Sequence, residues 1–226
     1  MKDAEILAVN PFNLKKDELL LFLTGRCRHH HYYYEHSACF VKEMGRKPTI
    51  GFLDIETSNL QADFGIVLSY AIKKADCKKI YSRVITKDEL MNGTLDKEVV
   101  RQCIEDMSKF DVIISYFGSR FDIPFLRSRA LYWKLEFPKY GYIKHKDVYY
   151  MVKNRLRLHR NRLEDACRLL GISGKTHLDG TYWVKALTGD KKSLRYILDH
   201  NKRDVILLEQ VYNKLNVYAK ETKRSI

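Results

Sequence analysis

Five residues that could take part in acid, base or metal chemistry lie at three places in the sequence. Asp54 and Glu56 stand two positions apart at the end of a predicted strand, so their carboxylates point to the same face. Asp122 follows a later strand across a short loop, at the start of a predicted helix. His200 and Asp204 are four positions apart on a C-terminal helix and therefore one turn apart on one face. Adjacent carboxylates repel each other and are costly to bury unless a cation lies between them, which favours a metal site.

Each of these features also has an ordinary interpretation. An Asp-x-Glu pair is compatible with a simple strand terminus. A carboxylate at a helix start interacts favourably with the helix dipole. A histidine and an aspartate one turn apart are compatible with an exposed helix face. The three features together carry more weight than any one of them.

The sequences around these residues resemble the three motifs of the DEDD-type 3′→5′ exonucleases of the ribonuclease H-like fold. The matching sequence segments are Ile50-Gly51-Phe52-Leu53-Asp54-Ile55-Glu56-Thr57, Ser115-Tyr116-Phe117-Gly118-Ser119-Arg120-Phe121-Asp122-Ile123-Pro124-Phe125-Leu126 and His200-Asn201-Lys202-Arg203-Asp204-Val205. The chain most resembles the predicted ribonuclease H-like exonucleases whose third motif usually reads Tyr-Asn-x-x-Asp-Val, and the resemblance covers about residues 49–215. His200 stands where that family usually has Tyr, whereas the subgroup that uses His generally places it five residues before the last acid.

The resemblance implies a nuclease with two divalent metal ions. Asp54, Glu56, Asp122 and Asp204 would be the metal ligands, with Asp54 bridging both ions. The oxygen-only ligand set favours Mg²⁺ or Mn²⁺ over Zn²⁺. His200 would orient or deprotonate the attacking water, which suits an imidazole whose ordinary pKa is about 6.5. The product would be a nucleoside 5′-monophosphate.

The elements predicted to position these residues alternate between strands and helices. A polar link of only a few residues joins the second and third strands, so these two are expected to pair as an antiparallel hairpin. The pattern predicts an α/β fold with a ribonuclease H-like mixed five-stranded sheet, in which a three-strand antiparallel meander continues into parallel strands flanked by helices. The predicted strands are 49–55, 66–72, 79–86, 111–116 and 142–148, and the predicted helices are 13–23, 96–110, 122–134, 161–170 and 193–217.

A segment rich in cysteine and histidine precedes this pattern. Cys27, His29, His36 and Cys39 have a spacing compact enough for a tetrahedral structural Zn²⁺, and His30 or His31 could replace His29. The C-x-H half is unusual for a zinc site, and the run of His and Tyr residues is equally compatible with a polar, aromatic loop facing nucleic acid. The sequence therefore predicts an N-terminal segment over residues 1–48 and an exonuclease domain over residues 49–226.

The charge of the chain favours a polyanionic partner. The formal net charge is +13, and residues 151–226 alone carry +9. This excess points to a DNA or RNA strand rather than to a membrane, although a solubilising surface charge is the plain alternative. Aromatic residues next to the acids could stack on unpaired bases, and nearby cations could neutralise phosphates. The residues predicted to bind nucleic acid are Phe117, Arg120, Phe121, Arg160, Arg162 and Lys202.

The sequence also bears on where the protein acts and on its reaction. It has no apolar run long enough to span a bilayer and no N-terminal signal pattern, and its five cysteines are not densely spaced, so a reducing cytoplasmic location is expected. The leading hypothesis is a metal-dependent 3′→5′ exonuclease, a hydrolase acting on phosphodiester bonds. The alternatives are a nucleic-acid-binding protein without catalysis and a structure-specific endonuclease. The sequence does not separate DNA from RNA as the substrate.

Overall fold

A mixed five-stranded sheet forms the centre of the protein in the computed structural model, which describes residues 8–174 and 179–218. The strands are β1 (Ile50–Thr57), β2 (Val67–Lys74), β3 (Ile80–Val84), β4 (Val112–Ser115) and β5 (Lys144–Asp147). Their order is β3-β2-β1-β4-β5. The first three pair antiparallel, whereas β4 lies parallel to β1, and β5 parallel to β4. The predicted meander that continues into parallel strands is therefore confirmed.

Nine α-helices accompany the sheet over the described residues. They are α1 (Lys16–Thr24), α2 (Ser37–Glu43), α3 (Lys87–Met91), α4 (Lys97–Met107), α5 (Asp122–Tyr132), α6 (Val148–Arg155), α7 (Leu163–Leu169), α8 (Gly180–Ala186) and α9 (Lys191–Asn216). Sequence analysis predicted α1, α4, α5, α7 and α9, and it missed α2, α3, α6 and α8. None of the helices within the described ranges has the length and apolar character needed to cross a membrane.

The N-terminus of the first helix differs from the prediction. The sequence pattern predicted a helix from residue 13, but α1 begins only at Lys16. Asn13 instead closes a short 3₁₀ turn, Pro11–Asn13, which Asn10 caps by accepting a hydrogen bond from the Phe12 amide. The proline fixes this separate turn, because its ring sets φ at the first turn position.

Alternation along β1 decides which residues face the long helix α9. Leu53 and Ile55 belong to one buried core, together with residues of α4 and α5. Phe52 belongs to the other core, which includes the apolar face of α9. Because side chains alternate along a strand, Asp54 and Glu56 point to the same side as Phe52. The acids of β1 therefore lie on the side of the sheet that α9 covers.

The N-terminal segment has a small core of its own, and a buried aspartate next to the sheet is one of the residues that hold it in place. Its core contains Phe22 and Phe40 among other residues. The Asp111 carboxylate, just before β4, accepts hydrogen bonds from the Asn10 amide at 2.8 Å and from the Thr49 amide at 2.7 Å. The separation of two domains at residues 48 and 49 stays a prediction.

Candidate active site

Helix α9 brings three polar side chains to the acids of β1. His200 is only 2% exposed, and its Nε2 atom lies 3.9 Å from Glu56 Oε1 and 3.6 Å from Asp204 Oδ2. The Asn201 side-chain amide donates a hydrogen bond of 2.6 Å to Asp54 Oδ2. The structure therefore brings His200 close to Glu56 and Asp204, and Asn201 to Asp54.

Asn201 is a site residue that sequence analysis did not single out, although it lies inside the third motif. It is fully buried and reaches a carboxylate 147 positions away in the chain. A hydrogen bond to a charged acceptor fixes the carboxylate more firmly than a neutral one does. Asn201 therefore sets the position of Asp54 relative to α9.

Asp122 is the first residue of α5, and the structure joins it to β1. Its Oδ1 atom accepts a hydrogen bond of 3.1 Å from the Ile55 amide, between the two acids of β1. The side chain is 3% exposed. The pKa of Asp122 is raised from 3.8 to about 7, chiefly by burial; the hydrogen bonds from the Asp122 and Ile55 backbone amides oppose the rise, and the negative charge of Asp147 adds to it. A cation beside this carboxylate would favour its charged form.

Asp147, at the end of β5, holds the loop that leads to Asp122. Its carboxylate accepts hydrogen bonds from the Phe117 amide at 2.8 Å and from the Ser119 amide at 3.0 Å. It also accepts a bond of 2.6 Å from the Ser119 hydroxyl. These bonds support Phe117, whose φ of 63° is in the left-handed region. Sequence analysis missed Asp147, because its partners lie about 30 positions earlier in the chain.

Gly118 lies in the same loop and fits only without a side chain. A Cβ atom on Gly118 would lie 2.0 Å from Ser115 Oγ and 3.1 Å from Asp122 Oδ2. The Ser115 hydroxyl is itself held by a hydrogen bond of 2.8 Å to His145 Nε2. The close approach of the Gly118 backbone therefore sets the space around Asp122.

The predicted nucleic-acid-binding residues lie in different environments in the structure. Phe117 is 40% exposed and packs edge-on against Tyr149, with ring centroids 4.8 Å apart. Phe117 and Arg162 both line one open groove beside the loop that leads to Asp122. Phe121 is half-buried and packs against Phe125 in the core, 5.6 Å between centroids. Packing accounts for the placement of Phe121, whereas Phe117 is available to a ligand.

The predicted cationic residues differ in position too. Arg120 is exposed and donates a hydrogen bond of 3.4 Å to the Tyr150 hydroxyl. Arg160 is exposed just before α7. Lys202 lines a different groove, between α9 and the end of β3. Since residues two apart on a helix differ by about 200° around the axis, Lys202 points away from the side of α9 that carries His200.

An aromatic cluster on α8 lies beside His200. The Trp183 ring meets the His200 ring edge-on, with centroids 6.1 Å apart. Tyr182 stacks on Tyr196 of α9 at 4.0 Å. Sequence analysis made no prediction for α8, so it missed the neighbours of His200 on this side. The contact limits the orientations that the imidazole can take.

The four carboxylates offer a donor set that suits magnesium or manganese. Asp54, Glu56, Asp122 and Asp204 provide only oxygen ligands, which hard divalent cations prefer. Asp54 and Glu56 come from β1 and Asp204 from α9, whereas Asp122, at the start of α5, is joined to β1 through the Ile55 amide. The buried Asp122 carboxylate, whose charged form is costly without a neighbouring cation, is consistent with such an ion.

Comparison with known proteins identifies the family. A model of the RNase H superfamily matches residues 51–216, so the chain belongs to this superfamily. A solved structure of the family B DNA polymerase from the hyperthermophilic archaeon Pyrobaculum calidifontis is similar, with a TM-score of 0.59 and 18% sequence identity. The match covers 74% of this chain and 25% of the polymerase chain. No curated protein gives a significant match. The family and the carboxylate-rich site support nuclease activity in general.

Proposed function

We propose that the protein is a two-metal-ion-dependent 3′→5′ exonuclease that releases nucleoside 5′-monophosphates from single-stranded or 3′-ended DNA or RNA. The observation that carries the proposal is the placement of His200 Nε2 between carboxylates, 3.9 Å from Glu56 and 3.6 Å from Asp204. Asp54 is held beside them by Asn201. This arrangement supports the DEDD-type assignment that the sequence motifs predict, with His200 where Tyr is usual.

The four carboxylates would hold two Mg²⁺ or Mn²⁺ ions. Such ions, when bound, supply a nucleophilic water at neutral pH and offset the charge that develops on the leaving oxygen. Asp54, Glu56 and Asp204 would hold the ion beside His200, and Asp54 and Asp122 would hold the other, with Asp122 acting directly or through water. The Asn201 amide fixes the Asp54 carboxylate.

His200 is the proposed general base or orienting group for that water. Its Nε2 atom faces Glu56 and Asp204, and both carboxylates would stabilise the imidazolium that forms when the ring takes a proton. The edge-on contact with Trp183 keeps the ring facing the acids. A positioned base of this kind contributes about 10²–10⁴-fold to rate.

The groove beside the Asp122 loop is the proposed path for the unpaired end of the substrate. Phe117 offers an exposed ring for a base, and Arg162 in the same groove offers a cation for a phosphate. The excess of basic residues over 151–226 supports binding of a polyanion. Arg120 and Arg160 are exposed as further phosphate contacts.

A labelled-substrate assay tests the proposal. Single-stranded DNA and RNA carrying a 5′ label are incubated with the protein and Mg²⁺, Mn²⁺ or EDTA. We expect the labelled strand to be shortened from its 3′ end, with release of mononucleotides. We expect no shortening in EDTA. Asp54→Asn preserves the shape of the side chain and removes its charge, so it should lower the rate by about 10²-fold or more. The exposed Asp199→Asn is the matched control and should leave the rate unchanged.

Other outcomes would refute the proposal in different ways. Internal fragments as the first products would identify an endonuclease. Binding of the strand without cleavage in either metal would identify a nucleic-acid-binding protein. Cleavage that survives both EDTA and Asp54→Asn would exclude the carboxylate site.

A further inference from the structure

The cysteine and histidine residues of the N-terminal segment form a compact cluster outside the candidate active site. Cys27 and His29 lie in a tight turn: the His30 amide donates to the Cys27 carbonyl at 2.8 Å, and the Cys27 amide donates to the His31 carbonyl at 2.9 Å. His30 has a φ of 65°, which closes the turn in the left-handed region. This turn presents the Cys27 and His29 side chains together.

Helix α2 supplies the other two members of the cluster. His36 is its N-cap residue, and Cys39 lies in its first turn. The Cys39 amide donates to the His36 carbonyl at 2.9 Å, which brings both side chains to one side of the helix start. A tight turn and a helix start therefore contribute two candidate ligands each.

The distances within the cluster match a tetrahedron around a metal ion. Cys27 Sγ lies 3.9 Å from His29 Nδ1 and 3.8 Å from His36 Nδ1. Cys39 Sγ lies 3.3 Å and 3.4 Å from the same two atoms. Bonds of about 2.3 Å from zinc to sulfur and about 2.0 Å to nitrogen place these donors about 3.6 Å apart at the tetrahedral angle. All four donor atoms lie within 4.8 Å of one another.

Hydrogen bonding alone does not account for these four contacts. Each Nδ1 atom has a single in-plane position that holds either one proton or one lone pair. Two such atoms support at most two linear hydrogen bonds, whereas four sulfur–nitrogen pairs are in contact. A central cation would satisfy all four donors at once.

We propose that Cys27, His29, His36 and Cys39 bind one structural Zn²⁺ ion. Two sulfur and two nitrogen donors in a tetrahedron are the ligand set that zinc prefers, and four protein ligands leave no position open for a substrate. Cys27 and Cys39 are 3% and 7% exposed, so the site is closed on the cysteine side. This proposal does not depend on the proposed nuclease function.

The ion would stabilise the fold of the N-terminal segment. The core around the cluster is small and includes Phe22, Tyr33 and Phe40. A core of this size contributes little stability by itself, and a structural metal commonly makes up the difference. The segment joins the sheet through Asn10 and Arg46, both bonded to Asp111. Loss of the metal would therefore loosen the segment without removing any carboxylate of the candidate active site.

Metal analysis of the full-length protein, purified without chelator, tests this proposal. We expect about one zinc per chain. The double variant Cys27→Ser/Cys39→Ser should reduce zinc to background. Cys77→Ser, which changes an exposed cysteine outside the cluster, is the matched control and should retain full zinc. Asp54→Asn should also retain it, which separates this site from the carboxylate site.

Cobalt substitution gives a second measurement that does not require the double variant to fold. Wild-type protein stripped of zinc and loaded with Co²⁺ should show the visible absorption of a tetrahedral ion with thiolate ligands, and added Zn²⁺ should abolish it. Wild-type protein that binds neither ion at the cysteines would overturn the proposal. So would zinc retained in full by a folded double variant, or a Cys27–Cys39 disulfide in place of the metal.

Discussion

The substitution Asp122→Asn should stabilise the metal-free protein, because the buried carboxylate is costly when charged. The Asp122 pKa rises from 3.8 to about 7 in the folded protein. That rise corresponds to about 4 kcal/mol as an upper limit at a pH above both values. Asparagine keeps an acceptor oxygen for the Ile55 amide and carries no charge. The variant should therefore recover a large part of this free energy of unfolding at pH 8 in EDTA.

The sign of the pH dependence follows from the same pKa. Between pH 4 and pH 7, the unfolded chain releases the Asp122 proton while the folded protein retains it. The unfolded state then binds fewer protons, so this residue makes the free energy of unfolding fall as the pH rises through this window. Well below pH 3.8 the residue is protonated in both states, so the advantage of Asp122→Asn should shrink as the pH falls toward that value and disappear below it.

Urea unfolding of wild type and variant in EDTA, at pH 4.5 and pH 8, measures the effect. The exposed Asp199→Asn is the control and should shift the midpoint little at either pH. Added Mg²⁺ should stabilise wild type more than Asp122→Asn, because the variant lacks one proposed ligand. A variant that is less stable than wild type at pH 8 in EDTA would refute the argument, since it would show that the carboxylate is favourable without metal.

Three further substitutions test the supports of the site and of the N-terminal segment. Gly118→Ala should destabilise the protein by about 1–3 kcal/mol in urea unfolding, because the new Cβ overlaps Ser115; the added change Ser115→Gly should restore part of the loss. Asn201→Ala should lower the nuclease rate by roughly 10-fold or more, because Asp54 loses a charge-assisted hydrogen bond. An unchanged rate would contradict the role of Asn201 in positioning Asp54. Asp111→Ala should cost about 3 kcal/mol or more and expose the N-terminal segment to limited proteolysis, whereas an unchanged digestion pattern would argue against its anchoring role.

Short-range patterns predicted most of the sheet and the longer helices. The sequences of β1, β2 and β4 are apolar or alternating runs. In α9 the apolar residues have the spacing of a helix with one buried face. The short helices were missed because few residues contribute to their pattern. For α3, the capping box of Thr86 and Glu89 was a readable indication of a helix start. For α6, only the structure shows that Asp147 is the N-cap residue, whose side chain accepts a hydrogen bond from the Tyr149 amide.

For the candidate site too, the sequence indicated some features, whereas others are visible only in the structure. Motif resemblance indicated Asp54, Glu56, Asp122, His200 and Asp204, and their roles stay predictions. The structure places His200 near Glu56 and Asp204, and it adds contacts that the motifs do not describe. Those contacts depend on how separate elements pack, which a local pattern does not record.

The sequence by itself determined the succession of the five strands and placed Asp54 with Glu56, and His200 with Asp204, on shared faces, because these features follow from periodicity within a few residues. Only the tertiary structure decided which side chains support the acids. Asn201 meets Asp54, and Asp147 holds the loop before Asp122, through hydrogen bonds between residues far apart in the chain. The physical reason is that these contacts depend on how α9 packs on the sheet and how β5 pairs within it. Burial strengthens these hydrogen bonds and makes an unpaired polar group costly, so the partners are well defined.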